Sequence, residues 1–319
     1  MDDELQRGSD IPSDGAVDIG GVHLPVGHRL SVLRSADRSA EPFRRVPAAW
    51  VTDMPVPDAG RLWWSLRDVT GLVPVLLDAR DGDGSGDVHP ACDSDDVLLS
   101  WEAFIPPEDA VEEILADHSW TVQNFRSFRG LETFGGDRRE LPPELVDAMR
   151  SGLDWESLRT EELFERTIPF RAFPGLAPAQ GVSLTPDQLE QAVRSQRPAL
   201  VGIIPAGRPA DAPLALGWFG TSDAFTLGPW GQWEAPAAMT AVLRSWEDRF
   251  GARLLRLGFA SLQLLVERPP QTNDQALRVA AELFDVSSEL RRSDGEGVSS
   301  VREMAKEIQG KPIWRFWWD

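Results

Sequence analysis

The chain has 319 residues, 42% of them hydrophobic, enough to bury a substantial core in one large domain or two. Its formal net charge is -19, its single cysteine is Cys92, and it has no run of about 18 apolar residues. These features argue against phosphate-backbone binding, an intramolecular disulfide and a membrane-spanning helix.

The acidic, polar start, Met1–Asp10, speaks against a secretory signal, and with one cysteine it predicts a cytoplasmic protein. From Pro236 to Asp319 acidic and basic residues balance at 12 each, so the whole negative excess lies in residues 1–235. That surface would attract a basic partner protein at long range and repel nucleic acid and anionic lipid. The plainer account is that acidity keeps the protein soluble.

Residues 1–20 are polar and aperiodic and read as a disordered tail. Residues 21–197 form an acidic α+β region, and 198–319 a distinct carboxyl-terminal region. Gly21–Gly27 suggests a short strand. Asp58 stands where it would cap a helix through Leu62, Trp63, Leu66 and Val69 that ends near Gly71. Val73–Leu77 follows as a buried strand. Glu108–Asp117 reads as a helix with acidic residues in its first turn. Residues 118–180 carry intermittent helical signals and suggest an insert. Pro186 opens a short helix, and Pro198–Pro205 is the continuous apolar run of a strand covered on both faces. Leu214–Gly220 also reads as a strand.

The carboxyl-terminal stretch is the most regular. Pro236–Phe250 is an amphipathic helix with Met239, Val242, Leu243, Trp246 and Phe250 on one face, and Gly251 suits a left-handed cap. Two Leu-rich strands follow, Arg253–Gly258 and Ser261–Glu267. Thr272 with Gln275 has capping-box spacing before a helix through Ala276, Val279, Ala280, Leu283 and Phe284. Ser300 with Glu303 opens another, which Gly310 and Pro312 end. The expected fold is α+β: a mixed sheet with strands near 72–77, 199–205, 214–219, 253–267 and 313–318, covered by helices near 236–250, 273–285 and 299–309. Large side chains on both faces of Ile313–Trp318 place this last strand within the sheet.

Several of these motifs together resemble DUF4253, a bacterial family of unknown function. They are Leu243–Ala252 (LRSWEDRFGA), Glu267–Pro270 (ERPP), the helix through Ala280, Ala281 and Glu282, and Trp314–Asp319 (WRFWWD), with Leu62–Leu77, Gly202–Asp211 and Gly217–Gly220 upstream. Family members carry a Cys-Pro-Asp-like segment after the alanine-rich helix. Phe284–Leu290 reads FDVSSEL here, so no role for that cysteine carries over. The resemblance implies no reaction.

Candidate chemistry is sparse. Asp81, Asp83 and Ser85 match the first ligand positions of an EF-hand loop, but Cys92 replaces its bidentate glutamate, so a flexible turn is the preferred reading. His23, His28, His89 and His118 show no metal-site spacing, and neither a metal nor another cofactor is expected. Glu247, Asp248, Arg249 and Asp319 are the candidates for a carboxylate/arginine site. Against that, Arg244 lies one helical turn from Glu247 and Asp248, where ion pairs within the helix explain them as structural. Arg208 and Asp211 form a second polar cluster between strands, as a binding candidate. Trp246, Trp314, Trp317 and Trp318 read as core, whereas Trp230 and Trp233, in a Gly/Pro turn, are candidate interface anchors. Three functions remain open: a non-catalytic binding protein of immunity or antitoxin type holding a basic partner, an enzyme of unassigned class, and a calcium-modulated module.

Overall fold

The computed structural model describes residues 11–34, 44–78, 107, 110–117, 170, 173–218, 235–258, 261–287 and 301–317. The chain divides into two compact units. The first comprises Met1–Val111, Ala179–Pro269 and Pro312–Asp319; the second, Glu112–Pro178 and Pro270–Lys311.

The first unit holds a mixed sheet of eight strands: β1 (Gly15–Ile19), β2 (Val22–Arg34), β3 (Arg44–Thr52), β4 (Leu72–Leu77), β5 (Leu200–Pro205), β6 (Ala252–Leu257), β7 (Ser261–Val266) and β8 (Ile313–Trp317). Their order is β1-β2-β3-β5-β4-β6-β7-β8. Only β4 and β6 run parallel; every other neighbouring pair is antiparallel. In chain order the helices are α1 (Ala59–Leu66), α2 (Val111–Asp117), α3 (Pro186–Arg194), α4 (Ala212–Leu216), α5 (Ala235–Phe250), α6 (Asn273–Val286) and α7 (Val301–Ile308), with a 3-10 turn at Pro209–Asp211.

The α+β class and the mixed sheet are as expected, and the carboxyl-terminal strand joins the sheet. Its place is the outer edge, paired to β7 from Leu265↔Ile313 to Ser261↔Trp317. Successive strand residues point to opposite faces, so Ile313 and Trp314 serve two different cores. Ile313 belongs to a cluster with Trp50, Trp63, Leu76, Leu255 and Leu265, which α1 and α3 close through Leu66, Leu189 and Val193. Trp314 and Phe316 face α5, where Trp246 meets Trp314 edge-on at 6.3 Å and stacks on Phe316 at 5.4 Å. Phe250 completes the group, 5.5 Å from Trp314.

Three segments differ from the sequence expectation. Gly15–Ile19, placed in the disordered tail, is strand β1; its pairing with β2 through a Gly20–Gly21 turn supplies the hydrogen bonds that a lone five-residue segment lacks. Leu214–Leu216, the start of the segment expected as a strand, lies in helix α4, which has Pro213 in its first turn and ends at Gly217 with φ +70°. The helix at α1 ends at Leu66, before Val69, and Asp58 makes no side-chain cap bond.

Helix α1 approaches α3 at a glycine. A methyl group on Gly60 would meet the backbone carbonyl of Val193, which cannot swing away as a side-chain tip could. Gly60→Ala is therefore expected to destabilise by about 1–3 kcal/mol, read as a lowered urea midpoint, while a Gly207→Ala control, whose added methyl meets nothing within 4 Å, changes little.

In the second unit α6 starts at the expected capping box, with Thr272 accepting from the Gln275 N–H and the Gln275 side chain accepting from the Thr272 N–H. Helix α7 buries Val301, Met304, Ala305 and Ile308, one stripe at helical spacing that packs with α6. Glu282 on α6 is fully buried and accepts from the Ala177 N–H at 2.6 Å.

Candidate functional site

The two polar clusters that are separate in the sequence, Arg208/Asp211 and Glu247/Asp248, meet in the first unit. After β5 the chain turns through Ala206 and Gly207, and the 3-10 turn at Pro209–Asp211 carries Arg208 and Asp211 to the side of α5. Arg208 Nε donates to Glu247 Oε2 at 3.0 Å, and its Nη2 donates to Asp248 Oδ1 at 2.6 Å. The Ala210 N–H also donates to Glu247 Oε2, at 3.2 Å. In return, Arg244 Nε donates to Asp211 Oδ1 at 2.7 Å. Each element thus offers one arginine and at least one carboxylate, and the pairing is crossed.

That crossing corrects the pairing inferred from helical spacing. Arg244 does not hold Glu247 or Asp248; its guanidinium reaches off the helix to Asp211, while Arg208 takes both helix carboxylates. Burial works against the charge of Arg208, but hydrogen bonds to Asp248 and Glu247 outweigh it and raise its pKa above the ordinary arginine value. The cluster is a charged clasp between the loop and α5. Distances of 2.6–3.0 Å are those of charge-assisted hydrogen bonds, and Glu247, 18% exposed, gains a backbone donor as well.

Arg249 lies apart from this clasp. Its Nε donates to Ser245 Oγ at 3.0 Å and its guanidinium sits 4.7 Å from the Phe250 ring centre. Asp319, Trp230, Trp233, Trp318, Cys92 and the Asp81/Asp83/Ser85 loop lie outside the described residues. His23 and His28 are separate: His23 pairs with Asp18 and His28 with Asp53. Among the described residues no group of three potential metal ligands occurs. No described helix is long and apolar enough to cross a membrane.

One site escaped the sequence reading. Arg256 of β6, 1% exposed, donates to Asp78 Oδ1 at 2.8 Å and to the Arg197 carbonyl at 2.7 Å, and Arg197 reaches the same Asp78 oxygen at 2.9 Å. Burial lowers the Arg256 pKa, Asp78 opposes that, and the like charges of Arg197 and Arg315 add to the lowering. An arginine within a Leu-rich strand was the available signal. Its partner lies 178 positions away in the sequence, and nothing local connects the two.

The fold and the clasp define an α+β protein with a mixed sheet whose carboxyl-terminal half is built around β5–β8 and α5. Residues 200–319 match the family model described as Domain of unknown function (DUF4253), from the start of β5 to the chain end. The match takes in the clasp and leaves out Leu62–Leu77. No curated protein and no solved structure matches the chain.

Proposed function

We propose that the protein is a non-catalytic binding module that holds a basic partner protein, in the manner of an immunity protein or antitoxin. The observation that carries this reading is the clasp. Glu247 and Asp248, the carboxylates with the best claim to acid–base work, are bound to Arg208, and neither lines the two clefts beside Arg67 and Arg253 in the first unit. A general acid or base has to reach substrate, and an ion-paired carboxylate outside a cleft is placed for structure. Charge supports the same reading: residues 79–169 hold 22 acidic against 8 basic residues, most of the chain's negative excess.

Affinity capture from the native host with the full chain at low salt tests it. The expected result is one basic protein that rebinds when purified and whose affinity falls steeply with added salt, since screening at about 0.5 M reduces attraction between exposed charges. Recovery of no basic protein, or binding indifferent to salt, overturns it.

A further inference from the structure

The geometry points to a binding site for a small oxyanion-bearing metabolite, a carboxylate or a phosphate, in the cleft at the carboxyl end of α1. The cleft encloses about 270 Å³, near the lower limit for small-molecule pockets, and its wall includes Trp63, Arg67, Asp68, Thr70, Arg208 and Arg253. With Arg208 bound to Glu247 and Asp248, two guanidiniums, Arg67 and Arg253, and the Thr70 hydroxyl stand against one carboxylate in that wall. A second cleft of about 250 Å³ adjoins it and shares Arg67, Asp68 and Arg253. These three residues form the partition between the two spaces.

Distances separate this cluster from the clasp. Asp68 accepts from Arg253 Nη1 at 3.2 Å and lies 3.2 Å from Arg67 Nη2, and Arg253 Nε stands 3.4 Å from Glu267. Tight charge-assisted bonds run at about 2.7–2.9 Å, the range of the Arg244–Asp211 pair. Asp68 is also 64% exposed, and exposed ion pairs contribute little. Arg67 and Arg253 therefore share Asp68, a loosely held, solvated carboxylate, and Arg253 has Glu267 as a further, longer contact; a better placed ligand oxyanion can displace Asp68.

The two arginines are held ready by other contacts. Arg67 lies 3.6 Å from the centre of the Trp64 ring and donates from Nη1 to the Trp64 carbonyl at 2.6 Å. Arg253 donates to the Arg67 carbonyl at 3.3 Å and projects from β6. Stacking and backbone bonds fix the guanidinium planes, so little side-chain freedom is lost when an anion docks. Trp63, in the same wall and 1% exposed, keeps its indole N–H buried with no acceptor. Arg208 is already committed to the clasp and contributes shape more than charge.

The site uses no residue of the acidic 79–169 segment and is independent of the partner reading. Titration calorimetry on the full chain, with inorganic phosphate and with succinate as separate probes, tests it and distinguishes the two oxyanion sources. The expected result is millimolar binding of at least one probe, weakened about tenfold or more by Arg67→Ala and by Arg253→Ala. Asp68→Asn is expected to strengthen binding several-fold, because it removes the internal competitor; a purely structural Asp68 would not do this. Arg194→Ala, at an exposed arginine paired to Glu190, leaves binding unchanged and controls for net charge. Circular dichroism confirms that each variant folds, and Arg253→Lys stands in should Arg253→Ala fail to do so. Heat from neither probe, or binding that Asp68→Asn weakens, overturns the proposal.

Discussion

Replacing Trp314 by alanine is expected to lower stability by about 3–5 kcal/mol, the range for truncating a large buried aromatic residue. Trp314 is 1% exposed and Trp246 is fully buried, and the two meet Phe250 and Phe316 in one aromatic group between β8 and α5. Edge-on and stacked ring contacts add about 0.5–1.5 kcal/mol per pair beyond area burial, so several pairs weaken together. Position aggravates the loss. Among the described residues β8 is an edge strand with β7 as its one sheet neighbour, and its side chains provide much of what holds it. The Trp314 indole nitrogen is buried without an acceptor, so Trp314→Phe removes that cost and should lose much less than Trp314→Ala. Urea titrations read by far-ultraviolet circular dichroism check the pair. A Trp314→Ala shift no larger than that of a surface substitution, about 0.5 kcal/mol, would remove the strand-to-helix aromatic group from its structural role.

Asp78→Asn is expected to cost about 3–5 kcal/mol by a different route. Arg256 remains charged at any ordinary pH and is 1% exposed, so removing its carboxylate leaves a buried cation without a counter-ion. The Arg197 carbonyl still accepts from Nη2, but a carbonyl carries no formal charge to balance it. Arg197, 68% exposed, turns to solvent in the variant and adds no penalty. The double variant Asp78→Asn, Arg256→Met should recover most of the loss, since an apolar side chain of similar length needs no partner. Denaturation midpoints of the two singles and the double form a mutant cycle. Equal destabilisation of Asp78→Asn and the double variant would show that the Arg256 charge is not what the carboxylate serves.

The parts of this fold legible in the sequence are those whose cause lies within one turn or one strand. Thr272 and Gln275 are three positions apart and satisfy each other's backbone, and Gly251 takes φ +63° because the helix end beside it calls for a left-handed residue. The aromatic stripe of α5 and the Leu-rich strands β6 and β7 follow from periodicity alone. The strand β1 was not legible, since a short polar strand is stabilised by the neighbour it pairs with, and β3 was missed although it buries Ala49, Trp50 and Val51. Leu214–Leu216, the start of the segment that read as β, is three apolar residues in a row, too few to carry a period; Pro213 and the burial around it decided for helix.

The candidate site divides in the same way. Residue types at Arg208, Asp211, Glu247 and Asp248 marked two polar clusters, and helical spacing suggested that the one on the helix was closed by Arg244. Coulomb attraction acts through space, and once the turn at Pro209–Asp211 packs against α5 the off-helix partner is nearer and better aligned than the one a turn away. The Asp78–Arg256 pair and the Arg67–Asp68–Arg253 partition arise from β6 converging on α1 and β4, and no short window holds β6 with either of the other two. The sequence by itself determined the caps, the amphipathic faces, the charge imbalance and the α+β class, because propensity and burial preference are properties of the local chain. Tertiary structure alone decided which charges neutralise one another and which cleft they border, because those outcomes depend on distances that the packing of the sheet creates.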